Sequence, residues 1–268
     1  MCACGVRSQE KGGLHMIRAV LFDVGGTLHV ADNTPALADR FSELLIRRLA
    51  ESGIVLPVDA KSLTPMLHRN AEDYKHWSEQ TRRELSGVRI WNEYYLRDFA
   101  VGEARLAPIA EELSWMYDAI RVRNVPRPHM QETMAALQEM GMKLGIISNI
   151  ISTTFVPRLL EDYGIAEKMS CVILSSVAGI RKPDPEIFRL GAKGCGVTCA
   201  EMAYVGDTLS RDVLGCRNAK VGLCIQIRNP SIAHRDTAFQ NTGLAPDVQI
   251  DDLAEIPELI RSKNSSQP

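Results

Sequence analysis

The sequence contains no apolar run of about 20 residues, the length that a helix needs to cross a bilayer. Its first residues also lack the apolar segment of a secretory signal. Neither a membrane-spanning protein nor a secreted one is indicated. We therefore expect a soluble protein of the cytoplasm, without a membrane partner.

A surplus of one charge is absent too. The chain has 31 Lys and Arg residues against 33 Asp and Glu residues. Because this balance provides no broadly basic surface, nucleic acid is not expected as a partner. At 268 residues, the chain is long enough for one domain with a large insertion or for two domains.

The cysteines are odd in number and scattered: Cys2, Cys4, Cys171, Cys195, Cys199, Cys216 and Cys224. Cys195 and Cys199 could supply half of a zinc site, but no second Cys or His pair with ligand spacing lies nearby. Reduced thiols, as in the cytosol, are the simpler interpretation.

Residues 1–16 show no apolar periodicity and directly precede the first apolar run. We interpret them either as a disordered tail or as a translated leader before a true start at Met16. A purine-rich stretch like a ribosome-binding site can encode Glu10 to Gly13, which favours the leader. Neither interpretation gives this segment a functional role.

Short apolar runs of strand length alternate with helical patterns over much of the chain. The runs lie at 17–22, 143–148, 171–175, 202–206, 221–227 and, more weakly, 247–250; the helical patterns lie at 130–140, 153–163, 184–195, 209–218 and 252–262. This alternation is typical of the α/β class. It predicts a doubly wound parallel sheet, that is, a Rossmann-like core.

Residues 31–123 interrupt the alternation and contain no convincing strand. Apolar positions fall on one helical face in 36–50 and again in 107–121. The segment therefore predicts a helical domain inserted after the first strand. We divide the chain into the start of the core (17–30), the helical insertion (31–123), the rest of the core (124–262) and a terminal tail (263–268).

Four segments place polar residues at the ends of apolar runs or at the start of a helix: IRAVLFDVGGTL (17–28), LGIISN (144–149), RKPDPEIF (181–188) and VGDTLSRD (205–212). Loops at the carboxyl ends of parallel strands converge on one crevice, so the segments can form one site. That site would gather Asp23, Ser148, Lys182, Asp207 and Asp212. An attacking carboxylate, groups that hold an anion and carboxylates for a divalent cation favour phosphoryl transfer through an aspartyl intermediate.

In order and spacing, these segments resemble the motifs of the haloacid dehalogenase-like (HAD) hydrolase superfamily, from residue 17 to about residue 260. The resemblance implies a helical cap inserted after the first motif and a Mg²⁺-dependent phosphatase of small phosphorylated metabolites. Opening and closing of the cap would exchange substrate and exclude water.

The resemblance also assigns roles to individual residues. Asp23 would be the nucleophile, with Lys182 and Ser148 completing the catalytic group. Substrate phosphate would contact Gly26, Thr27, Ser148, Asn149 and Lys182. Mg²⁺ would be held by Asp23, Asp207, Asp212 and the backbone carbonyl of Gly25, unless Asp212 instead orients Lys182.

One position departs from the family pattern. Most phosphatases of the family have Asp-x-Asp-Gly-Thr in the first motif, whereas this chain has Asp23, Val24, Gly25, Gly26 and Thr27. The missing second aspartate is the general acid and base of the family. Because positioned acid–base catalysis typically contributes about 10² to 10⁴-fold, we expect slower hydrolysis rather than none.

Several interpretations of Gly25 stay open. A cap residue or the substrate itself could donate the proton, or the leaving group could be an aryl or acyl phosphate that needs little protonation. A phosphonatase would need a Schiff-base lysine, for which the cap offers only Lys61 and Lys75. A dehalogenase is disfavoured by Asp207 and Asp212, and a metal- and phosphate-binding protein without turnover is the remaining alternative.

Two further sets of side chains are candidates. His29 directly follows the first motif and could supply the missing proton, since imidazole titrates near neutral pH. A linker side chain without a catalytic role is the simpler interpretation. Arg82, Arg83 and Arg89 could contact an anionic substrate, although charged helix faces are normally solvated.

Overall fold

The computed structural model describes residues 15–32, 34–239 and 242–266. The interpretation of the amino-terminal segment as a tail or leader falls almost wholly on residues outside these ranges. Among the described residues, no helix combines the length and the apolar character that crossing a membrane requires.

A parallel sheet forms the centre of the structure. The strands of the described residues are β1 (Ala19–Phe22), β2 (His29–Asp32), β3 (Arg123–Pro126), β4 (Lys143–Ser148), β5 (Met169–Leu174), β6 (Met202–Gly206), β7 (Leu223–Ile227) and β8 (Val248–Ile250). Six of them pair in the order β5-β4-β1-β6-β7-β8, all in parallel. The predicted doubly wound α/β core is confirmed. Because the strand order reverses at β1, the carboxyl end of β1 lies at the topological switch point, where such sheets bind ligands.

Helices connect and cover these strands. They are α1 (Pro35–Glu51), α2 (Ala60–Thr81), α3 (Gly87–Arg89), α4 (Glu103–Leu106), α5 (Ala110–Ile120), α6 (Met130–Glu139), α7 (Phe155–Asp162), α8 (Ser175–Ala178), α9 (Pro185–Gly194), α10 (Leu214–Ala219) and α11 (Ile256–Ser265). Two π-helical turns, Ile90–Tyr95 and Leu209–Val213, follow α3 and precede α10. The longest connection predicted as helical, 31–123, thus contains α1 to α5.

Both faces of the sheet are covered, which explains why its strands appear as continuous apolar runs. Side chains alternate across β1: Val20 and Phe22 pack on the face that carries α6, α7 and α11, whereas Ala19 and Leu21 pack on the face that carries α9 and α10. Asp23 follows directly, so the layered core fixes the position of its carboxylate.

The helical insertion has an apolar core of its own. Phe41, Leu45 and Trp91 belong to a buried cluster built from α1, α2, α5 and the segments between α3 and α5. The indole N–H of Trp91 donates to Ser114 Oγ at 3.0 Å, which satisfies this buried polar atom.

The connections between the insertion and the core differ from the sequence prediction. The sequence showed no convincing strand in 31–123, but β2 and β3, at the two ends of this segment, form an antiparallel two-stranded ribbon. The two connections run side by side, so their backbone groups satisfy each other.

The predicted terminal tail, 263–268, begins inside α11, which continues to Ser265. Asn264 explains the extra turn. Its side chain accepts a hydrogen bond from Ile17 N at 2.7 Å and donates one to Ile17 O at 2.9 Å, which ties the helix to the chain just before β1.

Candidate active site

A cavity of about 420 Å³ lies between the carboxyl ends of the central strands and the helical insertion. The residues predicted for the site that line it are Asp23, Gly25, Gly26, Ser148, Asn149, Lys182 and Asp207. Asp212 and Thr27, 1% and 0% exposed, lie buried behind this surface. The strand ends therefore converge as expected, while Thr27 does not reach the space where a substrate would bind.

Lys182 lies at the centre of the polar groups. Its Nζ is 2.8 Å from Asp23 Oδ1 and 2.8 Å from Asp212 Oδ1, and it donates to the Tyr204 hydroxyl at 2.8 Å. Burial lowers the pKa of Lys182, but Asp212 and Asp23 outweigh that effect and raise it above the ordinary value. The side chain is therefore a permanent cation beside Asp23.

Asp212 uses both of its oxygens in hydrogen bonds within the protein. Oδ1 accepts from Lys182 and from the Tyr204 hydroxyl, and Oδ2 accepts from the backbone and side chain of Thr208 at 3.0 and 2.5 Å. Burial raises the pKa of Asp212, but Lys182 and Arg211 outweigh it and hold the pKa below the ordinary value. This geometry favours orientation of Lys182 over direct metal ligation.

Asp207 has the opposite arrangement. Oδ2 accepts from Asn229 Nδ2 at 2.8 Å, but Oδ1 is buried and has no hydrogen-bond partner. Carboxylate oxygens of Asp23, Asp207 and Asp212 all lie within 4.8 Å of one another. An orphaned carboxylate oxygen beside other carboxylates fits a hard divalent cation such as Mg²⁺.

The pKa values of the two lining carboxyls reflect this crowding. Burial raises the pKa of Asp23, and Lys182 only partly offsets it. Burial, with Asp212 and Asp23 nearby, raises the pKa of Asp207 to about 7. A cation bound at these oxygens would hold both groups ionised.

The two glycines of the first motif have different surroundings. A Cβ at Gly25 would have no atom within 4 Å, whereas a Cβ at Gly26 would lie 1.7 Å from Asp207 Oδ2. Gly26 also has φ +85°, a conformation that favours glycine. Gly26 thus allows Asp207 to approach the first motif, and Gly25 leaves open the space of the side chain that most family phosphatases carry.

Asn149 supports Lys182 rather than pointing freely into the cavity. Its side chain accepts from Lys182 N at 2.9 Å and donates to Lys182 O at 3.1 Å. Ser148 ends β4 and lines the cavity. Of the two, Ser148 offers the side chain that is better placed to contact phosphate.

His29 lies in β2, the connection that enters the insertion, and it lines the cavity. It is 4% exposed, and its Nδ1 lies 3.1 Å from the Tyr163 hydroxyl. Burial lowers its pKa to about 4, so the imidazole is neutral near pH 7 and poorly suited to donate a proton.

The arginines proposed from the sequence lie elsewhere. Arg82, Arg83 and Arg89 are exposed and do not line the cavity, and Arg89 pairs with Glu93 at 2.6 Å. The cavity instead contains Arg121, Arg181 and Arg211. Arg211 lies inside the fourth motif, where the sequence could have indicated it, but Arg121 had no such signal.

Arg181 joins the core to the insertion. Its Nη1 pairs with Glu84, whose fully buried carboxylate also accepts from the hydroxyls of Tyr74 and Ser175. Next to this cluster, Arg83 and Ile180 form an isolated antiparallel bridge. The insertion thus contacts the chain immediately before Lys182.

The five cysteines that the structure describes give no support to a zinc site. Cys195 Sγ lies 3.5 Å from Cys171 Sγ, and Cys199 is half-buried. Within the described residues, the cluster with metal-ligand geometry is that of the three aspartates.

A family model described as a haloacid dehalogenase-like hydrolase matches residues 17–220. The chain belongs to this family. One relative, the glyceraldehyde 3-phosphate phosphatase of Methanopyrus kandleri, is 28% identical over 92% of this chain and 98% of its own. The phosphoglycolate phosphatase of Escherichia coli is 30% identical over 72% of this chain and 74% of its own.

Solved structures have the same fold. The 2-haloacid dehalogenase of Pseudomonas syringae pv. tomato gives a TM-score of 0.62 at 24% identity, covering 92% of this chain and 99% of that one. At this identity the likeness concerns the fold alone. The family match and the phosphatase relatives identify the chain as a phosphatase-like HAD hydrolase.

Proposed function

We propose that this chain is a Mg²⁺-dependent phosphatase of small phosphorylated metabolites and that Asp23 carries the phosphoryl group as an aspartyl phosphate. The observation that carries the proposal is the 2.8 Å contact of Lys182 Nζ with Asp23 Oδ1 in a cavity that Asp207 also lines. The named activities of the two relatives, on glyceraldehyde 3-phosphate and phosphoglycolate, support a small phosphorylated substrate.

Each residue has a distinct part in the proposed reaction. The Asp23 carboxylate attacks phosphorus, the bond to the leaving oxygen breaks, and water later attacks the aspartyl phosphate. Lys182 and the hydroxyl of Ser148 hold the phosphoryl oxygens. Asp23, Asp207 and the Gly25 carbonyl would hold Mg²⁺, which neutralises charge on the transferred group when it is bound.

Gly25 makes the proposed reaction depend on the leaving group. No side chain at this position can protonate the departing oxygen or activate water. Turnover should therefore rise steeply as the pKa of the leaving group falls. Aryl and acyl phosphates are expected to be better substrates than alkyl phosphates.

The same glycine supports a second candidate, a protein that binds metal and phosphate without turnover. Such a protein would bind phosphate esters and would form no product from them, whatever the leaving group. Dehalogenation is less well supported, because the unpartnered Asp207 Oδ1 suits a cation that halide release does not need.

The test is Mg²⁺-dependent phosphate release from para-nitrophenyl phosphate by the native protein and by Asp23→Asn. Asp162→Asn, at an exposed position, is the matched control. The proposal would be supported if chelation abolishes activity and if Asp23→Asn loses activity while Asp162→Asn keeps it. Absence of activity in the native protein, with phosphate binding retained, would favour the binding protein.

A further inference from the structure

Arg121, directly after α5, presents its guanidinium to the cavity. Its Cζ stands 4.4 Å from the centroid of the Tyr117 ring, and its Nε is buried without a hydrogen-bond partner. In the described part of the chain, Arg121 forms no ion pair. Arg121 itself is only partly buried, so its guanidinium can take a partner from the cavity that it lines.

The other two arginines of the cavity are already accounted for. Arg181 pairs with Glu84, and Arg211 interacts with the carboxylates of Asp212, Asp207 and Asp23, which raise its pKa. Arg121 belongs to the opposite wall, on the helical insertion. The cavity therefore has phosphoryl-binding groups on the core side and the guanidinium of Arg121 on the insertion side.

Asp118 is the nearest acidic residue along α5, and it interacts electrostatically with Arg121 without forming an ion pair with it. Its Oδ2 accepts a hydrogen bond from Ser152 N at 3.2 Å, which directs that oxygen to the core loop. Burial raises the pKa of Asp118 to about 7, so the group is partly protonated near neutral pH. Asp118 therefore neutralises Arg121 only in part.

We infer that Arg121 binds a second anionic group of the substrate. The site would then take small phosphomonoesters that carry a carboxylate or a second phosphate remote from the transferred phosphoryl group. The inference rests on the proposed function for its phosphoryl end. A guanidinium binds planar carboxylates and phosphates through paired N–H donors, and a cavity of about 420 Å³ has room for a small metabolite between the two ends.

The experiment compares substrates that differ in one group. 3-Phosphoglycerate has a carboxylate where glycerol 3-phosphate has a hydroxymethyl group. The third substrate, 1,3-propanediol bisphosphate, has a second phosphate. Each is assayed with the native protein, with Arg121→Met and with Arg83→Met, an exposed arginine of the same insertion. Affinities are also measured by calorimetry with Mg²⁺ on an Asp23→Asn background, which does not depend on turnover.

Arg121→Met should lower kcat/KM and affinity for the acid or for the bisphosphate by about 10- to 100-fold, the range for a hydrogen bond to a charged group. For glycerol 3-phosphate, kcat/KM and affinity should change less than about threefold in the same variant. Arg83→Met should leave both quantities unchanged for all three substrates. If only the acid or only the bisphosphate is affected, the second anionic group of that substrate is the one that Arg121 binds. Equal losses on all three substrates, or no loss, would overturn the inference.

The two proposals fail in different ways. Suppose that calorimetry shows the expected difference between substrates for Arg121→Met but that no turnover is found. This result would refute the phosphatase and support binding of a second anionic group by Arg121. Turnover without discrimination would do the reverse. If no probe binds measurably, the proposed role of Arg121 would be overturned.

Discussion

Lys182 and Asp23 form an ion pair at 2.8 Å with side chains only 1% and 8% exposed. Asp212 and Tyr204 complete the surroundings of the ammonium, so the Lys182 side chain has little freedom. Lys182 therefore opposes the effect of burial on the pKa of Asp23, although burial remains the larger effect.

We predict that Lys182→Met abolishes phosphoenzyme formation and also weakens the fold. The variant leaves two buried carboxylates without their cation, which costs about 3 to 5 kcal/mol when one partner of a buried pair is removed. Rapid acid quench measures the phosphoenzyme, and urea unfolding measures stability. Lys193→Met, at an exposed site of α9, is the control and should match the native protein. A Lys182→Met variant with native burst kinetics would contradict the role.

Gly25→Asp should increase turnover of alkyl phosphates. The position has ordinary backbone geometry and no atom within 4 Å of an added Cβ, so the side chain can be accommodated. A general acid placed there is expected to raise kcat for glycerol phosphates by about 10² to 10⁴-fold and to change aryl phosphates much less. Steady-state kinetics over a leaving-group series measures the effect. An unchanged slope of log kcat against leaving-group pKa would show that another group already donates the proton.

Substitution of the adjacent residues Gly25 and Gly26 by alanine should have different effects on folding and Mg²⁺ binding. Gly25→Ala places a methyl group in open space and should leave folding and activity near native. In Gly26→Ala the Cβ would lie 1.7 Å from Asp207 Oδ2 at a φ of +85°, so Asp207 has to move. We expect Gly26→Ala to lose Mg²⁺ affinity, measured by calorimetry, and to lower the melting temperature. Equal behaviour of the two variants would argue against the close approach.

His29 should make the native protein less stable in mild acid. Burial lowers its pKa from 6.5 to about 4, so between these values the unfolded chain takes up a proton that the folded chain does not. Stability is therefore lost as pH falls through this window, by about 3 kcal/mol at its lower end. In His29→Gln this loss should disappear, which urea unfolding from pH 4.5 to 7.5 measures. Parallel pH curves for both proteins would refute the assignment.

Much of the core followed from the sequence because its signals are local. Buried strands on both faces appear as apolar runs, and β4 and β6 have the predicted bounds. The polar residues after those runs meet because parallel strands share one carboxyl edge. Periodicity also located α1 and α5.

The insertion wall of the cavity could not be obtained in this way. Helical periodicity identifies the apolar face of α5, but Asp118 and Arg121 lie off that face, and their relation to the core depends on how the insertion packs. The burial of Glu84 had no local signal either, because its partners Tyr74, Ser175 and Arg181 come from three separate segments.

Arg181 and Lys182 are consecutive in the chain, yet they bind carboxylates on different sides. Arg181 holds Glu84 of the insertion, and Lys182 holds Asp23 of the core. A substitution at either residue strains the same short backbone segment. We therefore expect positions 84 and 181 to covary among related sequences, with changes in one accepted in evolution only together with changes in the other.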